Sequence, residues 1–389
     1  MSSFLTFLKG VFQMFSTNST KKKVNTPDPL NSSYIKQVMK KNNVSVISYA
    51  IIENNTIRTV NNISLDPAMN VSSHSLYQAC SFSKSLTAYA ILKLIADNRI
   101  LLDAPLNDQL HSWKIPECKY ANKVTIRQCL NMTSGFCYSE LNTTFPGYQQ
   151  NEIIPSLDDI LQGNKPAHNP PIKLSFEPGS QYYYSGAGFM VLQKLIEDVT
   201  QQSFTEYMRN EILIPLKMLN STFQCPLPDI LKDDAITGSN ANGEIYKNGW
   251  ENIVTSASGG LWSTSTDIAN FILAITNAYL GIDNTNIHYT LVQEMLSHQS
   301  NSSFGLGVSI DGLGNNLNFR KNGHNNAYHN EFIMFPHTGQ GMVIMTNSPN
   351  GITVINELMT FFSNKYQWPA YSKNFNELTI ATNTNRIHP

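Results

Sequence analysis

No two of the five cysteines in this chain (Cys80, Cys118, Cys129, Cys137 and Cys225) stand at Cys-x-x-Cys spacing. An odd count in a long chain indicates neither a disulfide framework nor a zinc site. Basic runs are equally scarce. Lys21-Lys22-Lys23 is the only one, and a formal net charge of -1 gives no support for nucleic acid as a partner. Beyond the first sixteen residues no apolar run is long enough to span a bilayer, no segment repeats, and nothing calls for a metal or other cofactor. Charged residues make up only 14% against 41% hydrophobic, so the 389 residues can bury a large core in one big domain or two.

The two termini read differently from the rest. Phe4, Leu5, Leu8, Val11, Phe12 and Phe15 form one apolar stripe at helical spacing, followed by the triple lysine. That pattern suits an in-plane anchor at a membrane surface. A secretion signal and a plain terminal helix are the alternatives; the signal is opposed by Lys9 inside the apolar stretch and by the lack of a basic leading region. Residues 1–29 are read as an amphipathic segment and linker, and 370–389 as a tail. The compartment stays open: a soluble domain, with secretion or membrane association through 1–16 both compatible.

Between them, 44–52 and 56–60 are apolar, β-branched runs around Glu53-Asn54-Asn55, the signature of a hairpin. Residues 103–249 form a region of helices and loops rich in Pro and Asn, including a helix over 187–200. Another helix starts near Ser265 to Asp267 and buries Ile268, Phe271, Ile272 and Ile275. Strands return at 304–310, 317–322, 331–335 and 341–346. The expected fold is α+β: an antiparallel sheet completed by both chain ends and flanked by helices, with a mostly helical insertion. One domain spans 30–369, its sheet part about 30–105 and 250–369 and its helical part about 106–249.

Three serines are followed by lysine one helical turn later, an arrangement in which the amine can take the hydroxyl proton. Ser19 lies in a polar tract without apolar periodicity, and Ser33 opens a weaker pattern (Tyr34, Ile35, Val38) ending in Lys40-Lys41-Asn42-Asn43, which reads as a solvated surface helix. Ser81-Phe82-Ser83-Lys84 opens a run with Leu86, Ala90, Ile91, Leu94 and Ile95 at helical spacing and Ala88 and Leu92 on the other side. Such a helix is buried. A lysine in its first turn would be partly desolvated, which lowers an amine pKa toward that of a base. The competing reading makes Ser81 a helix N-cap and Lys84 a snorkelling surface residue.

Two further segments can carry chemistry. In Tyr182-Tyr183-Tyr184-Ser185-Gly186, a tyrosine held beside a lysine ammonium can deprotonate a serine, although three tyrosines in a row also suit aromatic packing. In Gly323-His324-Asn325-Asn326-Ala327, a small-residue edge strand can aim an N–H at a developing oxyanion, although a lone histidine is more often a packing residue.

Taken in order, these segments together with Leu101 to Leu106, Val124 to Gly135, Phe176-Glu177-Pro178-Gly179, Ser258-Gly259-Gly260-Leu261 and Pro336 to Asn347 resemble the serine β-lactamase and penicillin-binding-protein superfamily, in its class C-like branch of esterases, D-amino-acid peptidases and β-lactamase-related hydrolases. The resemblance implies that Ser81 is the acylated nucleophile, Lys84 its proton partner and Tyr184 the general base of both half-reactions. It implies an oxyanion hole from the N–H groups of Ser81 and Ala327, with His324 where relatives carry Lys or His and Asn326 beside the substrate. Gly186 stands where class C β-lactamases usually carry Asn, which weakens the β-lactamase reading more than the hydrolase reading. Asn325 and Asn326 replace glycines and would either block the cleft or turn away from it. The Ser-Asp-Asn of class A enzymes is absent. A small-molecule or peptide substrate follows, whether β-lactam, D-amino-acid peptide or ester; the alternative is a catalytically inactive member that binds a peptide or serves as a scaffold.

Overall fold

The computed structural model describes residues 29–137, 147–282, 287–299, 303–369 and 371, with 29–31 as backbone only. The apolar stripe over 1–16, the linker after it and the tail from 372 lie outside the described residues. Helix α1 (Pro29–Lys41) leads into a hairpin of β1 (Val46–Glu53) and β2 (Thr56–Ser64). Asn54 and Asn55 make its turn with φ of 51° and 54°, the left-handed region that asparagine tolerates and a two-residue hairpin demands. There follow β3 (Tyr77–Gln78), α2 (Phe82–Ala96), α3 (Ala187–Thr200), β4 (Trp262–Ser263), α4 (Ser265–Tyr279), β5 (Ser309–Asp311), β6 (Asn318–His324), β7 (His329–Phe335), β8 (Gln340–Thr346) and α5 (Gly351–Lys365).

Six strands form one antiparallel sheet in the order β2-β1-β8-β7-β6-β5. Both ends of the chain meet at its centre, where Ile47 of β1 faces Thr346 of β8. The α+β architecture expected from the sequence is therefore present. Successive residues alternate between two cores. Val46, Ala50 and Ile52 of β1 and Phe332 and Met334 of β7 join the large core with α2, α3 and α4. Ile47, Tyr49 and Ile51 of β1 and Ile333 and Phe335 of β7 join a second core under α1 and α5. A sheet covered on both faces has apolar residues at both phases, which is why these strands read as continuous apolar runs.

Two expectations need correction. Helix α1 is no solvated helix, because Ile35, Val38 and Met39 are buried in the second core, covered by α5. Nor is 304–310 a strand throughout. Gly305 N–H donates to Val308 C=O at 2.8 Å and Gly307 has φ of 79°, so the chain turns, and only Ser309–Asp311 pairs with β6. The turn has a packing cause: a Cβ on Gly307 would come within 2.5 Å of the Ala88 Cβ of α2.

Asn347, fully buried just after β8, fastens the chain ends to the middle of the chain. Its Oδ1 accepts from Val46 N–H at 3.0 Å, its Nδ2 donates to Thr237 C=O at 3.0 Å, and its own C=O accepts from Ser239 N–H at 2.8 Å. Asn347→Leu strands the Val46 amide and the Thr237 carbonyl in a dry site. Stability is expected to fall by about 2–4 kcal/mol in urea unfolding with an unchanged m-value; a midpoint equal to that of the wild type would show that the clamp contributes nothing.

Candidate active site

Helix α2 has no polar face: every residue from Phe82 to Leu94 is buried. Ser81 sits at its N-cap position, yet its hydroxyl caps no backbone amide. Instead Lys84 Nζ donates to Ser81 Oγ at 3.0 Å and Tyr184 Oη donates to the same oxygen at 2.9 Å. The Lys84 ammonium is buried, and it also donates to the Ser258 carbonyl at 2.6 Å. Its Nζ lies 5.2 Å from the ring centroid of Tyr184 and 5.8 Å from that of Phe189, within cation–π range. The snorkelling alternative is thereby excluded.

Neighbouring side chains hold this turn. Ser83 Oγ donates to Cys80 C=O at 2.7 Å and accepts from Leu261 N–H at 3.0 Å, while Thr87 Oγ1 donates to Ala257 C=O at 2.9 Å. Together they bind the first turns of α2 to residues 257–261 and present the Ser258 carbonyl to Lys84. Cys80, with φ of 51°, turns the backbone between β3 and α2; its thiol is buried and its pKa is pushed up to about 12 by desolvation, so it is inert packing beside the serine. Tyr184 comes in on a segment held from behind, since Tyr183 N–H donates to Met132 C=O at 2.8 Å and Gly179 N–H to Thr133 C=O at 2.7 Å. Gly186 is buried and is the N-cap of α3, which begins at the next residue.

The third segment is arranged differently from the expectation. On β6, Phe319, Lys321 and Gly323 share the phase that faces the large core, whereas Arg320, Asn322 and His324 face the other way. His324 therefore lies on the far face of the sheet from Tyr184. Its ring stacks on His329, centroids 5.3 Å apart and 15° between planes, and burial together with His324 pushes the His329 pKa down to about 3. The second cation beside the tyrosine, after Lys84, is Lys321, which is fully buried with Nζ 4.9 Å from the Tyr184 ring centroid and 5.5 Å from that of Phe304. Sequence reasoning missed Lys321. Its signal is the period of two: a lysine between Phe319 and Gly323 at the inward phase of a buried strand is out of place unless something needs its charge.

Gly323 makes the closest approach. A Cβ there would lie 2.4 Å from Ala79 C=O and 3.0 Å from Ser81 N, so only glycine lets β6 run against the serine turn. Ala327, expected to supply an oxyanion N–H, has that N–H donated to Asn325 Oδ1 at 2.9 Å. The hydrogen-bond alternation of β6 points to another amide. Asn325 N–H bonds to Tyr328 C=O across the β6–β7 hairpin, so Gly323 bonds to β7 and the N–H of His324 is directed at the opposite edge. Among the described residues β5 pairs with β6 only at 318–320, so the ladder on that edge stops before it reaches the stretch beside Ser81. The Asn325 side chain does not enter the cleft: Nδ2 donates to Gln78 Oε1 at 2.7 Å, and Oδ1 accepts from both Ala327 and Tyr328. Asn326 is exposed, and its C=O accepts from Tyr246 Oη at 3.2 Å.

The described residues contain no group of His, Cys, Asp and Glu that could hold a metal ion. The family model described as Beta-lactamase matches residues 31–356. Protein flp of Staphylococcus aureus is 27% identical over 160 residues, covering 41% of this chain and 30% of that protein. Penicillin-binding protein 4* of Bacillus subtilis is 29% identical over 147 residues, covering 37% of this chain and 30% of that protein. The aligned part thus spans under a third of these relatives. Among solved structures, the octameric penicillin-binding protein homologue from Pyrococcus abyssi superimposes with a TM-score of 0.67 at 20% identity, over 87% of this chain and 78% of that one, which shows a shared fold.

Gly323→Val should force β6 off the serine turn. Overpacking of this kind costs about 1–3 kcal/mol, expected as a lower urea midpoint; an unchanged midpoint would mean that β6 does not press on Ser81 in solution.

Proposed function

Because the chain belongs to the Beta-lactamase family, we propose that it is a serine hydrolase that cleaves an amide or ester bond through an acyl-enzyme on Ser81. The observation that carries this reading is the Ser81 oxygen, within hydrogen-bond reach of Lys84 Nζ at 3.0 Å and Tyr184 Oη at 2.9 Å in a buried cluster. A serine used only as a helix cap would direct its hydroxyl at the backbone. This one is directed at two groups able to exchange its proton.

In the first half-reaction Tyr184 acts as the phenolate: Ser81 Oγ attacks the substrate carbonyl and its proton passes to the Tyr184 oxygen. The tetrahedral oxyanion collects on the Ser81 and His324 amides, with the N–H of His324 taking the role that the resemblance gave to Ala327. Tyr184 then returns the proton to the departing amine or alcohol, leaving the acyl-serine. Water enters the vacated space, loses a proton to Tyr184 and releases the acid and Ser81. Lys84 and Lys321, with Nζ 5.2 and 4.9 Å from the centre of the tyrosine ring, provide the positive field that stabilises its oxygen when negative. Lys321 thereby fills the place expected of His324.

The substrate is a small molecule or peptide: a β-lactam, a D-amino-acid peptide or an ester. A silent, peptide-binding member is the second reading, and its support was the pair Asn325 and Asn326 standing in the cleft. The Asn325 amide is bonded to Gln78 and to its own turn, which weakens the case for a block by Asn325, while Asn326 lines the adjoining cavity. As for location, no helix among the described residues is long and apolar enough to cross a membrane, and contact of residues 1–16 with a membrane surface remains a proposal.

Intact-mass measurement after exposure to a fluorophosphonate or penicillin should show one adduct on the wild type and none on Ser81→Ala. Lys84→Ala and Tyr184→Phe should each slow adduct formation by about 10²–10⁴-fold, the usual worth of a positioned acid–base group. An unlabelled wild type, or an adduct that survives Ser81→Ala, would defeat the reading.

A further inference from the structure

Both backbone segments that flank Ser81 continue into one cavity of about 250 Å³. Gln78, three residues before the serine, forms one wall, and Asn325 and Ala327, just past the open edge of β6, form another. The far side is a single loop that brings Tyr246, Trp250 and Glu251. The loop and the two walls are fastened to each other: Gln78 Nε2 donates to Glu251 C=O at 2.7 Å, while Gln78 Oε1 accepts from Asn325 Nδ2. An acyl group whose carbonyl lies between the Ser81 and His324 amides would extend along the edge of β6 into this space.

The cavity has an unusual charge arrangement. Glu251 is half-buried, and among the described residues no cation forms an ion pair with it. Lys247, four residues earlier on the rim, is exposed and makes no such pair. One neutral amide, Gln149 Nε2, reaches the carboxylate at 3.3 Å. Burial, and after it the nearby Glu152 carboxylate, raises the Glu251 pKa, so a cation placed here would relieve an existing cost. The Trp250 ring is held edge-on to Trp262 at 5.1 Å, and the Tyr246 hydroxyl is fixed on Asn326 C=O, so the cavity that Glu251 lines also carries two ordered aromatic rings. A carboxylate flanked by aromatic rings is the arrangement that holds ammonium groups.

We propose that this cavity receives the acyl side chain and selects acyl donors bearing an ammonium group, held by the Glu251 carboxylate and the Tyr246 and Trp250 rings. The proposal rests on the reading of Ser81 as the nucleophile.

The test compares p-nitrophenyl esters of trimethylammonioacetic acid and of its uncharged isostere 3,3-dimethylbutanoic acid. The ratio of their kcat/KM values, cationic over neutral, removes intrinsic reactivity when wild type is compared with Glu251→Gln, a variant that keeps the backbone carbonyl bonded to Gln78. A drop in that ratio of about tenfold is expected from loss of the charged contact, while fluorophosphonate labelling of Ser81 continues. An equal ratio in both proteins overturns the proposal. If neither ester is hydrolysed and Ser81 takes no label, the hydrolase reading has failed, and the cavity is then judged by calorimetry with benzyltrimethylammonium. About tenfold weaker binding to Glu251→Gln than to wild type supports the ammonium site; equal or absent binding overturns it.

Discussion

The burial of one ammonium group governs this structure. Lys84 is only 3% exposed, in a helix whose other early residues are apolar or bonded elsewhere. Removing a cation from water costs several kcal/mol unless lone pairs and ring faces replace the lost hydration. Here the replacements come from the Ser81 hydroxyl at the head of the same helix and from two remote stretches of chain, the Ser258 carbonyl and the rings of Tyr184 and Phe189. Each needs its own support, so the seryl turn, residues 257–261 and the tyrosine segment must fold together or leave the charge stranded. A site assembled this way is also preorganised, because the contacts that offset the desolvation are the ones that aim the serine.

The sheet completes the site by coming close. Gly323 lets β6 run within contact of Ser81 N, Lys321 places a second buried cation near the Tyr184 ring, and among the described residues β5 pairs with β6 only at 318–320. Backbone approach and charge thus come from one strand with period-two alternation. The same alternation sends His324 to the opposite face, against His329. The turn after β6 is stiffened by Asn325, whose amide bonds link it to Gln78 and onward to the loop carrying Glu251. Asparagine there is a brace between the strand and the loop, its side chain bonded into the wall of the adjoining cavity.

Much of the fold was legible because its signals are local. The asparagine hairpin turn, the buried helix after Ser81 and the strands at both chain ends each declare themselves within a dozen residues. Local pattern misled where a tertiary partner decided the outcome. Helix α1 ends in lysines and looks solvated, but α5 covers its apolar side; 304–310 looks like a strand, but Gly305 and Gly307 bend it to clear Ala88. The third segment was misread because His324 draws the eye as a catalytic residue type, whereas Lys321 is distinguished only by its phase in the strand.

What the sequence by itself determined is the residue types and their order: a serine and lysine on one turn of a buried helix, a tyrosine downstream, a glycine-containing strand near the end. Periodicity encodes burial, and burial of Lys84 already implied an unusual environment. Which cation lies nearest the tyrosine ring, which edge of β6 each amide is directed at, and where the Asn325 side chain bonds were decided by the tertiary structure alone. All three depend on strand register and on contacts between residues more than a hundred positions apart, such as Tyr184 with Ser81 and Asn325 with Gln78. Spacing along the chain carries no record of those distances, because the packing of α2 against β6 sets them.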